Sequence, residues 1–224
     1  MSMAYGTSGY RTGAKPYVVT TPNPNLVISV ADFKLWAKVF NDLEDAIIEQ
    51  IIQGVTLQAE KYTHRVFLTT EFETKRDVFG DVDESPNPYY VGLNNAPIVP
   101  RRSPFHDLVS IEYVDTGGAT QTLSGTQLAF KESYSEIYPA GGDCWPGVDC
   151  DTVHPITIKF NAGYGDTGAD IPEDLLNALL AHMTSVYKNR GDCSNMSARC
   201  SCKFAPAESM AVYDQYRILE FRAF

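Results

Sequence analysis

Three glycines, Gly163, Gly165 and Gly168, stand in the spacing G-x-G-x-x-G after a strand-like run and before a helix-like one. In a βαβ unit that spacing lets the backbone approach a dinucleotide pyrophosphate at a helix N-terminus. The surroundings argue against such chemistry. The preceding run alternates Ile156, Ile158 and Phe160 with Thr157 and Lys159, unlike a strand buried on both faces. Asp166 and Asp170 would add like charge where the pyrophosphate must lie. No second Val/Ile-rich strand follows the helix to complete the unit. The glycines read as a turn that aims a helix back across a sheet, and no cofactor is expected.

The other reactive side chains do not converge on a known constellation. Cys144 and Cys150 form one group of thiols, and Cys193, Cys200 and Cys202 a second. Neither has the C-x2-4-C pairing of structural zinc sites. An odd cysteine count without a secretion signal counts against a disulfide framework. Free thiols in loops are the preferred reading, with a metal or a disulfide joining the two groups as the alternative. His64, His106, His154 and His182 belong to no H-E-x-x-H or E-x-x-H pair, and no G-x-S-x-G is present. His182 is expected to pack or reach solvent rather than act as a base. No catalytic residue and no metal ligand is assigned. Among enzymes, a hydrolase using a carboxylate pair is the alternative.

Aromatic residues make up 12% of the chain, with 13 tyrosines. Exposed Tyr and Trp bring large, rigid area to contact surfaces at low entropic cost. Tyr5, Tyr10, Tyr17 and Trp145 in the GGDCWPGVD loop are contact candidates. The alternative for Trp145 is that it plugs a β unit.

These residues must be positioned by a chain of 224 residues, long enough for a sizeable core. A net charge of -10 argues against a DNA-gripping module, which would show a basic face. Neither a signal-peptide core nor an apolar run near the ~20 residues of a membrane helix is present, so a soluble protein made in a cytoplasm is expected. Residues 1–28 are read as an extended or disordered arm. Ser29 and Asp32 resemble a capping box, followed by Phe33, Trp36, Ala37 and Phe40 on one helical face. Asn41 and Asp42 are expected to cap a longer helix with an apolar stripe at Ile47, Ile48, Ile51, Ile52, Val55 and Ala59.

From Phe67 to Phe160 the period is two, with strand candidates at 67–72, 89–93, 110–114, 119–123, 128–131 and 156–160. Pro172, Glu173 and Asp174 open a third helix whose buried side is read as Leu176, Leu179, Leu180, Met183, Val186 and Tyr187, ending at Gly191. The segment PAESMAVYDQYRILEF reads as a short helix and an extended tail. The fold class is α+β: a helical bundle (29–66 and 169–224) with an inserted, mostly antiparallel β unit (67–168). The second and third helices are expected to pack together through Ile51, Val55, Leu179 and Met183.

Four stretches in this order carry a family resemblance: ADFKLWAKVFNDLEDAIIEQIIQGVTLQAEKYTHRVF, SIEYVDTGGATQTL, ITIKFNAGYGDTGADIPEDLLNALLAHMTSVYKNRGD and VYDQYRILEF. The chain resembles the head–tail connector (adaptor) proteins of long-tailed bacteriophages over most of Ser29 to Phe224. The Tyr/Gly-rich arm and the cysteine groups depart from that pattern. The resemblance implies a structural protein of the virion neck, without catalysis or cofactor. It implies a dodecameric ring beneath the portal, joined to a stopper or tail-completion protein, with genomic duplex DNA passing through without sequence-specific binding. No membrane is implied. Another neck or tail-completion component is the nearest alternative. The C-terminal segment is the candidate for portal docking, through Met210, Tyr213, Tyr216, Arg217, Leu219, Phe221, Arg222 and Phe224; its folding back as ordinary core is the alternative.

Overall fold

The computed structural model describes residues 17–79, 96–100, 102–123, 128–131, 136–139, 144–190 and 205–218. It is an α+β fold in which two apolar clusters meet along one seam. The first belongs to the helices α1 (Val30–Ala37), α2 (Asp45–Thr63), α3 (Glu173–Lys188) and α4 (Ala207–Tyr216). The second lies on a five-stranded antiparallel sheet of order β1-β2-β7-β3-β4, made of β1 (Val18–Thr21), β2 (Thr70–Arg76), β3 (Phe105–Val114), β4 (Thr120–Leu123) and β7 (Ile156–Ala162). A separate antiparallel pair is formed by β5 (Leu128–Lys131) and β6 (Glu136–Pro139).

Strand β7 is central, and its alternation is the sheet's organising pattern. Ile156, Ile158, Phe160 and Ala162 are buried while Thr157, Lys159 and Asn161 are not fully covered. Side chains alternate between the faces of a strand, so one face of β7 packs and the other stays wet. Phe72 and Phe105 stack on Phe160 from the neighbouring strands, with ring centroids 5.9 Å away in each case. The β3–β4 hairpin pairs Ile111 with Leu123, and its turn is closed by Asp115, whose carboxylate accepts from Gly117 N and Ala119 N.

The helical layer departs from the expected boundaries in ways its contacts explain. Ser29 caps α1 as anticipated, accepting from Asp32 N at 3.0 Å. The helix stops at Ala37 because Lys38 adopts a left-handed conformation (φ 58°). Phe33 is therefore the buried anchor of α1, whereas Trp36 and Phe40 face solvent and Phe40 lies outside the helix. Asn41 and Asp42 do not cap α2. Its N-cap is Glu44, and Asp42 is drawn instead to Lys34, which also holds Asp45. Along α2, Ile48, Ile52, Val55 and Ala59 are buried, Ile51 is partly so, and Ile47 is exposed.

The buried side of α3 comprises Leu175, Ala178, Leu179, His182 and Met183, with Leu176, Leu180 and Tyr187 at its edge and Val186 exposed. The shift from the expected stripe is caused by α4. Ser209 donates to the Ala178 carbonyl at 2.8 Å and Tyr213 packs on His182, so α4 covers a side of α3 that periodicity alone leaves open. Strand β1, in the stretch read as an arm, pairs with β2, and Val27 and Ile28 enter the helical cluster. Strand β2 starts at Thr70 rather than Phe67, because Phe67 and Leu68 also belong to that cluster. Strand β6 went unanticipated; the expected strand at 89–93 and the stop at Gly191 lie outside the described residues.

Leu179 has no exposed surface at the α2–α3 contact. Leu179→Ala should lower the unfolding free energy by about 2–5 kcal/mol in urea titrations. Leu179→Asp, which buries an unpaired charge, should abolish the cooperative thermal transition; an unchanged melt would refute this packing.

Candidate functional site

The glycine-rich turn between β7 and α3 is packed from every side. Gly163 has φ 145°, and a Cβ there would come within 2.5 Å of the Thr69 backbone nitrogen. A Cβ on Gly165 would overlap the Asp170 side chain, and one on Gly168 would overlap the Val27 carbonyl. The glycines thus let the turn lie against residues 67–69 and 27, where Thr69 N donates to Gly165 O at 2.8 Å and Tyr164 N to Phe67 O at 3.1 Å. Thr167 donates to Asp170 from both its backbone nitrogen and its hydroxyl. Those bonds hold the Asp170 carboxyl below its ordinary value, the backbone bond contributing most. A carboxylate already fills the loop, and Glu173 and Asp174 occupy the first turn of α3. This arrangement repels a phosphate and has the chemistry of a hinge between two layers.

The remaining chemical candidates stay apart. His64 ends α2 in a left-handed conformation, His106 pairs with its neighbour Asp107, His154 bonds Asp77 at 2.6 Å, and His182 is buried beside Tyr213. Cys144 and Cys150 are exposed free thiols, and Cys193, Cys200 and Cys202 lie outside the described residues. Among the described residues no group of three or more His, Cys, Asp or Glu is placed to hold a metal. None of their helices is long and apolar enough to cross a membrane.

The contact candidates divide sharply. Trp145 is only 8% exposed, donates its indole N–H to Ala96 O at 2.8 Å, and stacks on Phe79 with centroids 4.9 Å apart. It plugs the β cluster rather than presenting its ring. Tyr5 and Tyr10 lie outside the described residues, while Tyr17 packs edge-on against Phe160.

The described part of the C-terminal segment packs one side on the helical cluster, with Ser209 and Tyr213 buried. Tyr213 is fully buried, burial raises its phenol well above the usual tyrosine range, and Met210 and Tyr216 pack at the edge of the helical cluster. Tyr216 donates to Asp174 on α3 at 2.7 Å, which with partial desolvation pushes its phenol up to about 12. Arg217 lies over the Tyr62 ring, and Ile218 N donates to Thr63 O at 3.0 Å. Leu219, Phe221, Arg222 and Phe224 follow outside the described residues.

Sequence reasoning missed two surface features. One is a set of exposed apolar side chains around the α1–α2 turn, of which Trp36, Phe40 and Ile47 were expected on buried helical faces. The other is a groove of about 590 Å³ between β1, α2 and β2, lined by Val19, Leu26, Leu57, Glu60, Phe72 and Arg102. Burial raises the Glu60 carboxyl above its ordinary value, opposed by a hydrogen bond from Phe67 N and by the Arg102 charge. Only the exposure of Phe40 and Leu43 beyond the end of α1 would have signalled the first, and that follows from Lys38.

Comparison with known proteins places these surfaces in a structural context. No family model and no curated protein sequence matches the chain. Three solved structures share its fold at a TM-score of 0.67, each covering 93% of this chain and 98% of the matched one. They are the neck of an empty GTA particle computed with C6 symmetry (18% identity), the neck of a native GTA particle computed with C12 symmetry (17%) and the virion of a native gene transfer agent particle (16%).

Two outcomes test the geometry. Gly168→Ala should destabilise the protein by about 1–3 kcal/mol in urea titrations, since backbone rather than a mobile side chain must give way. The Tyr216 phenol is neutral in the Asp174 bond, so its contribution is complete below the ordinary tyrosine value of 10.0 and lost as pH rises through about 12. Asp174→Asn should move the corresponding phenolate absorbance step to lower pH; an unmoved step would refute the bond.

Proposed function

We propose that this chain is a structural head–tail connector of a tailed, phage-like particle, forming a ring in the neck below the portal through which genomic DNA passes. The observation that carries the reading is the full-length likeness: a single fold accounts for 93% of this chain and 98% of chains in the neck of a GTA particle. The order of sequence motifs points independently to the connectors of long-tailed phages. The chemistry is compatible, since the glycine-rich turn is filled by its own packing and the described histidines stay apart. With a net charge of -10, a ring of such subunits would repel duplex phosphates, so DNA slides rather than sticks. The portal protein lies on one side of the ring and a stopper or tail-completion protein on the other. The site of action is the virion neck, reached from the host cytoplasm during assembly.

Portal docking falls to the residues beyond the packed part of α4. Tyr213 is committed to the core, so the contact is assigned to Leu219, Phe221, Arg222 and Phe224, with Met210, Tyr216 and Arg217 at its margin. Apolar anchors interleaved with Arg suit a desolvated contact that also pairs with acidic groups.

Truncation after Ile218 separates docking from folding. The shortened chain should keep its melting temperature yet fail to join portal-bearing heads, as scored by its absence from purified heads and by loss of tailed particles. Full incorporation of the truncated chain would overturn the docking assignment. Absence of the intact chain from the neck layer in electron cryomicroscopy of the particle would overturn the function itself.

A further inference from the structure

The α1–α2 turn exposes five large apolar side chains close together in sequence. Leu35 is 79% exposed, Trp36 49%, Phe40 92%, Leu43 93% and Ile47 45%. Lys34 bonds both Asp42 and Asp45, which ties the segment after α1 back to α1 and keeps the exposed side chains on either side of the turn near one another. At roughly 150–250 Å² for each large aromatic side chain, the exposed fractions of Trp36 and Phe40 alone come to about 280 Å², and Leu35, Leu43 and Ile47 add to that. A stable interface buries about 800 Å² per partner, so these side chains can supply a substantial apolar share of one.

A groove with apolar walls and a polar rim that includes Gln53, Glu60, Lys61 and Arg65 lies elsewhere on the same subunit. The groove of about 590 Å³ has Val19, Leu26, Leu57 and Phe72 among its lining residues, and Val19 and Leu57 are themselves about half exposed. The buried stripe of α2 separates the two surfaces. At about 100° per residue, Ile47 and Ile51 fall to one side of Ile48, Ile52, Val55 and Ala59. Thr56 and Glu60, which line the groove, fall to the other. A projecting face and a groove on different sides of one subunit cannot satisfy each other within it. Between copies they can form a heterologous contact, which builds a ring where its rotation closes.

We propose that the Leu35–Ile47 face of one copy seats in the β1–α2 groove of the next, so that the ring is built head to tail through this pair of surfaces. The proposal rests on the neck reading and supplies its lateral contact. Phe40 and Leu43 are the projecting anchors, and Val19 and Leu57 flank the groove that receives them.

The test is photo-crosslinking in particles assembled with a full-length chain carrying p-benzoylphenylalanine at position 40. Irradiation should join that position to a peptide from residues 18–27 or 53–65 of a second copy. Phe40→Asp and Leu57→Asp alter exposed side chains, so each purified variant should melt as the parent does. Each should also reduce copies per particle at least about tenfold, the effect of some 1.4 kcal/mol per contact. A crosslink into a different virion protein overturns the proposal while leaving the neck reading intact. So does a product joining position 40 only to position 40, or the absence of any self-product in particles that contain the chain. Particles that lack the intact chain altogether defeat the neck reading and the proposal with it.

Discussion

The close approach of two backbones at the β7–α3 turn is the constraint on which the rest of the fold depends. Helices α2 and α3 belong to one core, yet the whole described sheet beyond β1 lies between them in sequence. The chain must return from the sheet to the helices at one place and at one angle. It does so where Gly163, Gly165 and Gly168 fit against Thr69, Asp170 and Val27 with no room for a Cβ. Backbone bonds from Thr69 and Tyr164 lock that seam. Loop closure over so long an insertion is entropically unfavourable, and the compensating energy comes from Leu175, Leu179 and Met183 meeting Ile52, Val55 and Ala59 beyond the turn. The same three glycines that imitate a nucleotide site thus orient α3 on the sheet.

How far the sequence disclosed this depends on the range of the interactions. Local signals were legible: the Ser29 cap, the alternation of β7, the β3–β4 hairpin at Asp115, and the acidic start of α3. The apolar stripe of α2 was legible because a long helix has one dominant period. What periodicity could not supply was the arrival of α4, which comes from distant sequence and draws His182 and Ala178 inside. Strand β1 escaped because Val18 and Val19 are exposed, and their pairing with β2 is a backbone affair that carries little side-chain pattern. The described C-terminal candidates divide between core and surface for the same reason. Tyr213 is aromatic enough for an interface, and burial against His182 makes it core instead. At the α1–α2 turn, the single left-handed residue Lys38 ends a helix whose pattern continues past it, turning expected core into surface.

Among the described residues the ionisable groups do not converge on one pocket. The ionisable residues are spent on geometry: Lys34 on the α1–α2 turn, Asp115 and Asp170 on loops, Asp174 on Tyr216, and Glu44 on Tyr187 and Arg190. What remains facing outward is apolar at one turn and acidic in sum. Exposed apolar side chains at that turn favour association by desolvation, and a net charge of -10 disfavours binding to a polyanion.

The closure of α4 over α3 also imposes an order of events during synthesis. Chains emerge from the ribosome N-terminus first, at about 5–20 residues per second. Helices α1, α2 and α3 are therefore available before Ser209 and Tyr213 exist to cover Ala178 and His182. Until α4 arrives, a nascent chain displays two sticky regions, the permanent one at the α1–α2 turn and a temporary one on α3. A prematurely terminated product keeps the temporary region and is marked by it for chaperones and proteases. A full-length chain conceals that region once α4 lies across α3, so the last helix to emerge is the one that completes the core.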